Sequence, residues 1–442
     1  MPNAMTNTMP SASVDAMTNS MDNTNSSTLT ETNRRVALSV ISTIFFMWGF
    51  LTCLNDILIP HLKALFSLSY MQSALIQFTF FGAYFIAALP AGKVVSKLGY
   101  KNGISVGLLV AAVGAALFYP AAKFESYPYF LGALFVLATG ITVLQVAANP
   151  YVSLLGPEKT ASSRLNLAQA LNSLGTTIAP HIGGLFILAA AVVSSEQLAQ
   201  MSASEQAAYR LEQAQAVQGP YLVLAGVLLL LAVFIYMFRL PSFKHTEAGS
   251  SANQGSFLSV LRKKHVAYGV IAQFLYVGAE VAIGSFLINF MAQAEIGGMT
   301  EATASKYIPL YWGGAMVGRF IGSALLQKID AGKLLGVAAT AAVALIGVCL
   351  ATTGAVSMYA ILGVGLFNSI MFPTIFTLAI RGLNEETEKA SSLIIMSIVG
   401  GAIVPLIMGA LADGIGLHMA FALPLICYLF IVFYGFRGSR VA

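Results

Sequence analysis

Apolar runs long enough to cross a lipid bilayer dominate this chain, and they leave few architectures open. They fall at about 36–60, 72–95, 103–121, 128–155, 165–193, 219–239, 266–292, 303–327, 333–353, 356–380, 389–412 and 416–436, numbered here spans 1 to 12. A hydrocarbon core about 30 Å thick takes about 20 helical residues to cross. The longer runs imply tilt or projecting helix ends. Charged residues make up 9% of the 442, against about a quarter in soluble domains. The reading is an all-α integral membrane protein, twelve transmembrane helices in two six-helix halves.

Basic loops stay on the cytoplasmic side of a membrane. With the N-terminus inside, eighteen of the 23 lysines and arginines fall in inner segments. Lys63, Lys123, Arg210 and Lys306 fall in outer loops, and Arg319 lies within span 8. Both termini are therefore expected in the cytoplasm, with the chain in the cell inner membrane. Residues 1–33, rich in Ser, Thr, Asn and Met, read as a disordered tail. Residues 241–265 carry "PSFKHTEAGSSANQGS" and "RKKH" and read as a cytoplasmic linker between bundles at 34–240 and 266–442.

Several functions are argued against. The net charge of +5 is spread over short loops rather than gathered into a patch, unlike a nucleic-acid binder. Cys53, Cys349 and Cys427 lie singly, without disulfide or metal spacing. No GxxxxGK[ST] loop or HExxH pair occurs, so ATP drive within this chain and zinc-hydrolase chemistry are unsupported. The expectation is a non-enzymatic monomer without a cofactor.

The halves repeat. Gly140, Gln145 and Pro150 match Gly363, Asn368 and Pro373 at one offset of 223 residues. "ASS" recurs at 161 and 390, and Pro180 with Gly184 matches Pro405 with Gly409. Two such repeats about an axis along the membrane normal make a transporter architecture, with the site near midplane between them.

Polar residues at membrane depth are the functional candidates. In "FFMWGFLTCLNDILIPHLK" Asn55 and Asp56 stand side by side in an apolar run. Asp56 reads as the cation-coupling group; the plainer alternative is a carboxylate holding a helix break near Pro60. Gln273, Tyr276 and Glu280 share a face of span 7, and Asn166, Gln169 and Asn172 draw a polar line down span 5. Gln145 and Asn149 share a face of span 4, although Asn149 could instead cap the backbone group freed by Pro150. Gln77, Asn289 and Asn368 add amides in spans 2, 7 and 10, and Trp48 and Trp312 offer aromatic faces. Amides both donate and accept without charge, which suits sugar hydroxyls, though they also fasten helices together. Arg319 reads as a gating residue.

With its twelve spans in two halves, the chain resembles the major facilitator superfamily. "GKVVSKLGYK" at 92–101 resembles that superfamily's loop motif, with Ser96 where an acid is usual. "QFTFFGAYFIAALPAG", "VAANPYVSLLG", "NLAQALNSLG" and "FPTIFTLAI" resemble the fucose/glucose–galactose:cation symporter family. The resemblance implies hexose uptake with a monovalent cation by alternating access, and an acid at Asp56 for protonation and sugar binding. The family's fucose permease carries a glutamate where this chain has Gln145, which cannot titrate. H⁺ is placed ahead of Na⁺; with Na⁺, Asp56 becomes the metal ligand. Glucose, galactose and mannose are placed ahead of N-acetylglucosamine, and fucose last.

Overall fold

A computed structural model describes residues 31–66, 70–124, 126–186, 200–241, 243 and 256–441. At 31, 54–66, 70–74, 180–186, 203, 207 and 210–217 it describes the backbone alone. Asn55 and Asp56 therefore lie outside the residues whose side chains are described.

Among the described residues all twelve runs are helical. Span 1 lies in Glu31–Phe66, span 4 in Tyr127–Leu154, span 5 in Ala161–Phe186 and span 7 in Lys264–Ala292. Spans 2 and 3 form Tyr70–Lys123, broken at Gly99, whose φ of 78° suits a residue without a Cβ. Spans 8 and 9 are Ile308–Leu325 and Ala331–Ala351. Span 10 is divided into Gly354–Asn368 and Met371–Ala379. Span 11 runs from Thr387 to Ile415 through a 3₁₀ turn at Ser397–Val399, and span 12 centres on Ala422–Phe433.

One boundary is corrected. The span 6 helix begins at Ala203, well before the apolar run at 219, so Arg210 lies on helix rather than in a loop. A capping box explains the early start. Ser202 accepts from the Glu205 backbone N–H, and the Glu205 carboxylate accepts from the Ser202 N–H at 2.8 Å. Apolarity marks the part of a helix within lipid, whereas capping marks where the helix begins.

Small residues bring helices together backbone to backbone. A Cβ at Gly49 would stand 2.0 Å from Asn172 O, and one at Gly175 would stand 2.2 Å from Phe46 O, so spans 1 and 5 touch at two glycines. In a membrane this packing supplies association that the hydrophobic effect does not.

Contacts between the two sets of helices gather toward the face carrying the basic loops. Ser162 Oγ lies 2.6 Å from Thr377 Oγ1, and Ser163 Oγ donates to Ser323 O at 2.6 Å. Ser391 Oγ donates to Val146 O at 3.0 Å, and Gly92 lies so close to Ser392 that a Cβ there would stand 1.9 Å from Ser392 Oγ. Arg381 meets Glu158 at 3.5 Å. The repeated "ASS" is thus a pair of locks: spans 5 and 11 each present two serines to the opposite set. Toward the other face, a cleft of about 220 Å³ opens between span 2 (Gln77, Phe78) and spans 7 and 11 (Val281, Phe286, Pro405).

Candidate functional site

Two prolines shape the polar centre. Proline has no N–H, and its ring presses on the carbonyl four residues back. In span 10 Pro373 leaves Ser369 O without its helical donor, and the helix breaks there. Side chains take up the freed oxygens: Tyr276 OH donates to Asn368 O at 3.1 Å, and Arg319 Nε to Ser369 O at 3.2 Å. In span 4 Pro150, at the matching repeat position, frees Val146 O, the oxygen that accepts from Ser391. The capping role considered for Asn149 therefore belongs to Ser391. Asn149 is fully buried, and neither of its amide atoms bonds to the protein.

The repeat also extends to the side chains. Gln145 Nε2 donates to Tyr84 OH at 2.7 Å, joining spans 4 and 2. Asn368 Nδ2 donates to Tyr311 OH, also at 2.7 Å, joining spans 10 and 8. These are equivalent helices of the two halves, and Gln145 and Asn368 are the pair matched at 223 residues. Each amide keeps a buried carbonyl oxygen, Gln145 Oε1 and Asn368 Oδ1, that accepts nothing from the protein. Such oxygens suit ligand hydroxyls or water, because a buried polar group left unbonded costs about 1–3 kcal/mol.

Spans 7 and 12 carry further buried polar atoms without protein partners. Gln273 is fully buried with both amide atoms unbonded. Glu280 has a buried Oε1 without a protein partner, and Tyr428 of span 12 is buried with its hydroxyl likewise unbonded. Tyr311 OH contacts Glu280 O at 3.4 Å. Tyr276, Tyr311 and Tyr428 all stand within electrostatic reach of the Glu280 carboxyl, as does Arg319.

Arg319 crosses between the halves. Besides Ser369 O, its guanidinium donates to Ser173 Oγ and, at 3.5 Å, to Gln169 O, both on span 5. The remaining candidates are more dispersed. Gln169 is buried, while Asn172 donates to Phe45 O at 2.9 Å and fastens span 5 to span 1. Asn166 donates to Ser162 O at 2.8 Å and reaches Thr374 Oγ1 at 3.4 Å, below the centre and beside the serine locks. Gln77 lines the outer cleft, and Asn289 is exposed. Trp48 is buried against Phe45, whereas Trp312 is 43% exposed and packs on Gly284.

Tyr84, Tyr311 and Tyr428 were absent from the candidates read in the sequence. Tyrosines in apolar runs resemble core, and only their pairing with the repeat-matched amides singles out the first two.

Residues 37–398 match the sequence profile of the Major Facilitator Superfamily. The chain belongs to that superfamily. It is 52% identical over 414 residues to the glucose/galactose transporter of Brucella abortus (biovar 1, strain 9-941), over 93% of this chain and 96% of that one. It is 39% identical over 411 residues to the L-fucose-proton symporter of Escherichia coli (strain K12), over 91% and 93%. A crystal structure of the E. coli fucose:proton symporter FucP matches with a TM-score of 0.86 at 36% identity, covering 93% of this chain and 100% of that one. A FucP structure in the outward conformation matches with the same TM-score at 38% identity and the same coverage. The twelve helices in two halves are the major facilitator fold, and this superfamily member is a transporter rather than an enzyme.

Proposed function

We propose that this chain takes up a hexose of the glucose, galactose and mannose class by symport with a cation, H⁺ ahead of Na⁺. The basic face lies in the cytoplasm of a bacterial inner membrane, with both termini on that side. The observation that carries this reading is the mirrored pair Gln145–Tyr84 and Asn368–Tyr311, each with an unused buried acceptor. Two neutral amides held alike from opposite halves suit a polyhydroxylated, uncharged ligand between them. Gln169, Gln273, Tyr276 and Gln77 complete the sugar path, and Asp56 is the cation site. The similarity to a glucose/galactose transporter and to a fucose:proton symporter supports both parts.

The serine locks and Arg319 make this the state closed to the cytoplasm. Transport alternates it with one in which those contacts part, a bistable pair that ligands bias by binding one state better. Competition against labelled-glucose uptake tests the sugar class. Excess galactose or mannose is expected to cut uptake at least fivefold, N-acetylglucosamine less and fucose least. Fucose as the strongest competitor would overturn the ordering.

A further inference from the structure

Read from the sequence, Glu280 is first a sugar-facing acid and at most a helper of Asp56 in moving protons; its surroundings differ from those of a sugar ligand. It sits on span 7, and the groups with charge or titratable hydrogens facing it are Tyr276 on its own helix, Tyr311 and Arg319 on span 8, and Tyr428 on span 12. Among the described residues, spans 10 and 11 bring no titratable group to bear on it. Among the described residues the one cation within reach is thus Arg319. In this state the Arg319 hydrogen bonds go elsewhere, to Ser369 O at the span 10 break and to Gln169 O and Ser173 Oγ across the interface. No hydrogen bond joins the guanidinium to the carboxyl, and Glu280 Oε1 is left buried without a protein partner.

The topology makes this arrangement depend on the state. Arg319 and Glu280 belong to the same half, whereas Ser173 and Gln169 belong to the other. When the halves part at the cytoplasmic face, span 5 withdraws two of the acceptors that hold the guanidinium. A released guanidinium is most stable beside an anion, and Glu280 is the acid of its own half within reach. In general, burial favours a neutral carboxyl and an arriving cation favours the charged form.

We propose that Glu280 carries a proton through the cycle and that Arg319, released by span 5 as the cytoplasmic side opens, expels it. This rests on the symport reading above and replaces the expectation that Glu280 binds sugar. The balance is simple. Glu280 takes a proton from the outer water while Arg319 is held by span 5. It gives that proton to cytoplasmic water when the guanidinium arrives, and the carboxylate–guanidinium pair lasts until span 5 recaptures Arg319. The cytoplasmic side then closes on a deprotonated Glu280, ready to reload from outside. Arg319 acts here as a positioning residue, working on the proton through Glu280.

The test is made in proteoliposomes, with protons and labelled glucose counted together for the wild type, E280Q and E280D. The expected result is that E280Q lowers the protons moved per sugar by one, and flattens the dependence of glucose counterflow on internal pH. Counterflow, which needs no net proton movement, stays within about threefold of wild type, and E280D restores the proton count. Two results overturn the proposal: an unchanged proton count in E280Q, or loss of counterflow with its pH profile intact, which marks Glu280 as a sugar ligand. If the wild type itself moves no protons with glucose, the symport reading fails first, and this role with it; that outcome shows before any variant is compared.

Discussion

Replacing Arg319 with methionine is expected to cut net glucose uptake by about two orders of magnitude while leaving a folded protein. The guanidinium makes three hydrogen bonds, two of them to the opposite half. Hydrogen bonds from a charged group contribute about 1.5–3 kcal/mol each, so losing the two crossing bonds removes about 3 kcal/mol or more from the cytoplasm-closed state. Each 1.4 kcal/mol is tenfold in an equilibrium, and the population shifts by about a hundredfold. Folding survives because the substitution also removes the desolvation cost of the cation and keeps most of its aliphatic bulk. A cysteine placed at Ser162 should become more reactive from the cytoplasmic side in the Arg319→Met background. Unchanged uptake and unchanged labelling would show that the crossing contacts do not hold the state.

The second large effect is on assembly. Gly175→Val places a Cβ 2.2 Å from Phe46 O and adds two methyl groups beyond it, where the neighbour is backbone and has no rotamer with which to yield. Spans 1 and 5 must then separate, which also breaks the bond from Asn172 to Phe45 O. A cost of about 3 kcal/mol is expected, at the upper end of ordinary overpacking. The readout is the monodisperse fraction in detergent and its melting temperature. A variant that purifies and melts like the wild type would mean that the two helices do not approach as closely as the glycines allow.

The membrane architecture was legible because apolar length is a local property, and because a repeat with one offset shows as matched residues without any knowledge of contacts. Pro150 and Pro373 were visible in the same way. What they do was not, since a freed carbonyl is satisfied by whichever side chain another helix brings. Asn149 was the nearest polar neighbour in sequence, but Ser391 comes from the opposite half, 245 residues away. Tyr84 and Tyr311 stayed hidden for a related reason: a tyrosine in an apolar run looks like packing until its hydroxyl is seen to meet an amide. The early start of the span 6 helix was written in Ser202 and Glu205, a capping signal outside the apolar run.

Gln145 carries the same lesson into chemistry. Its amide nitrogen donates to Tyr84, which fixes the carbonyl oxygen in place, and an amide cannot titrate. On the proposed reading, proton movement falls to two carboxyls, Asp56 of span 1 and Glu280 of span 7.

The measurement that tests this account most directly is labelled-glucose accumulation in proteoliposomes under an imposed pH gradient or an imposed Na⁺ gradient, for the wild type and Asp56→Asn. The account predicts that an inward proton gradient alone drives accumulation in the wild type, and that Asp56→Asn loses accumulation but keeps exchange. Accumulation driven by Na⁺ alone would contradict the proton assignment, and equilibration without accumulation under either gradient would contradict symport itself.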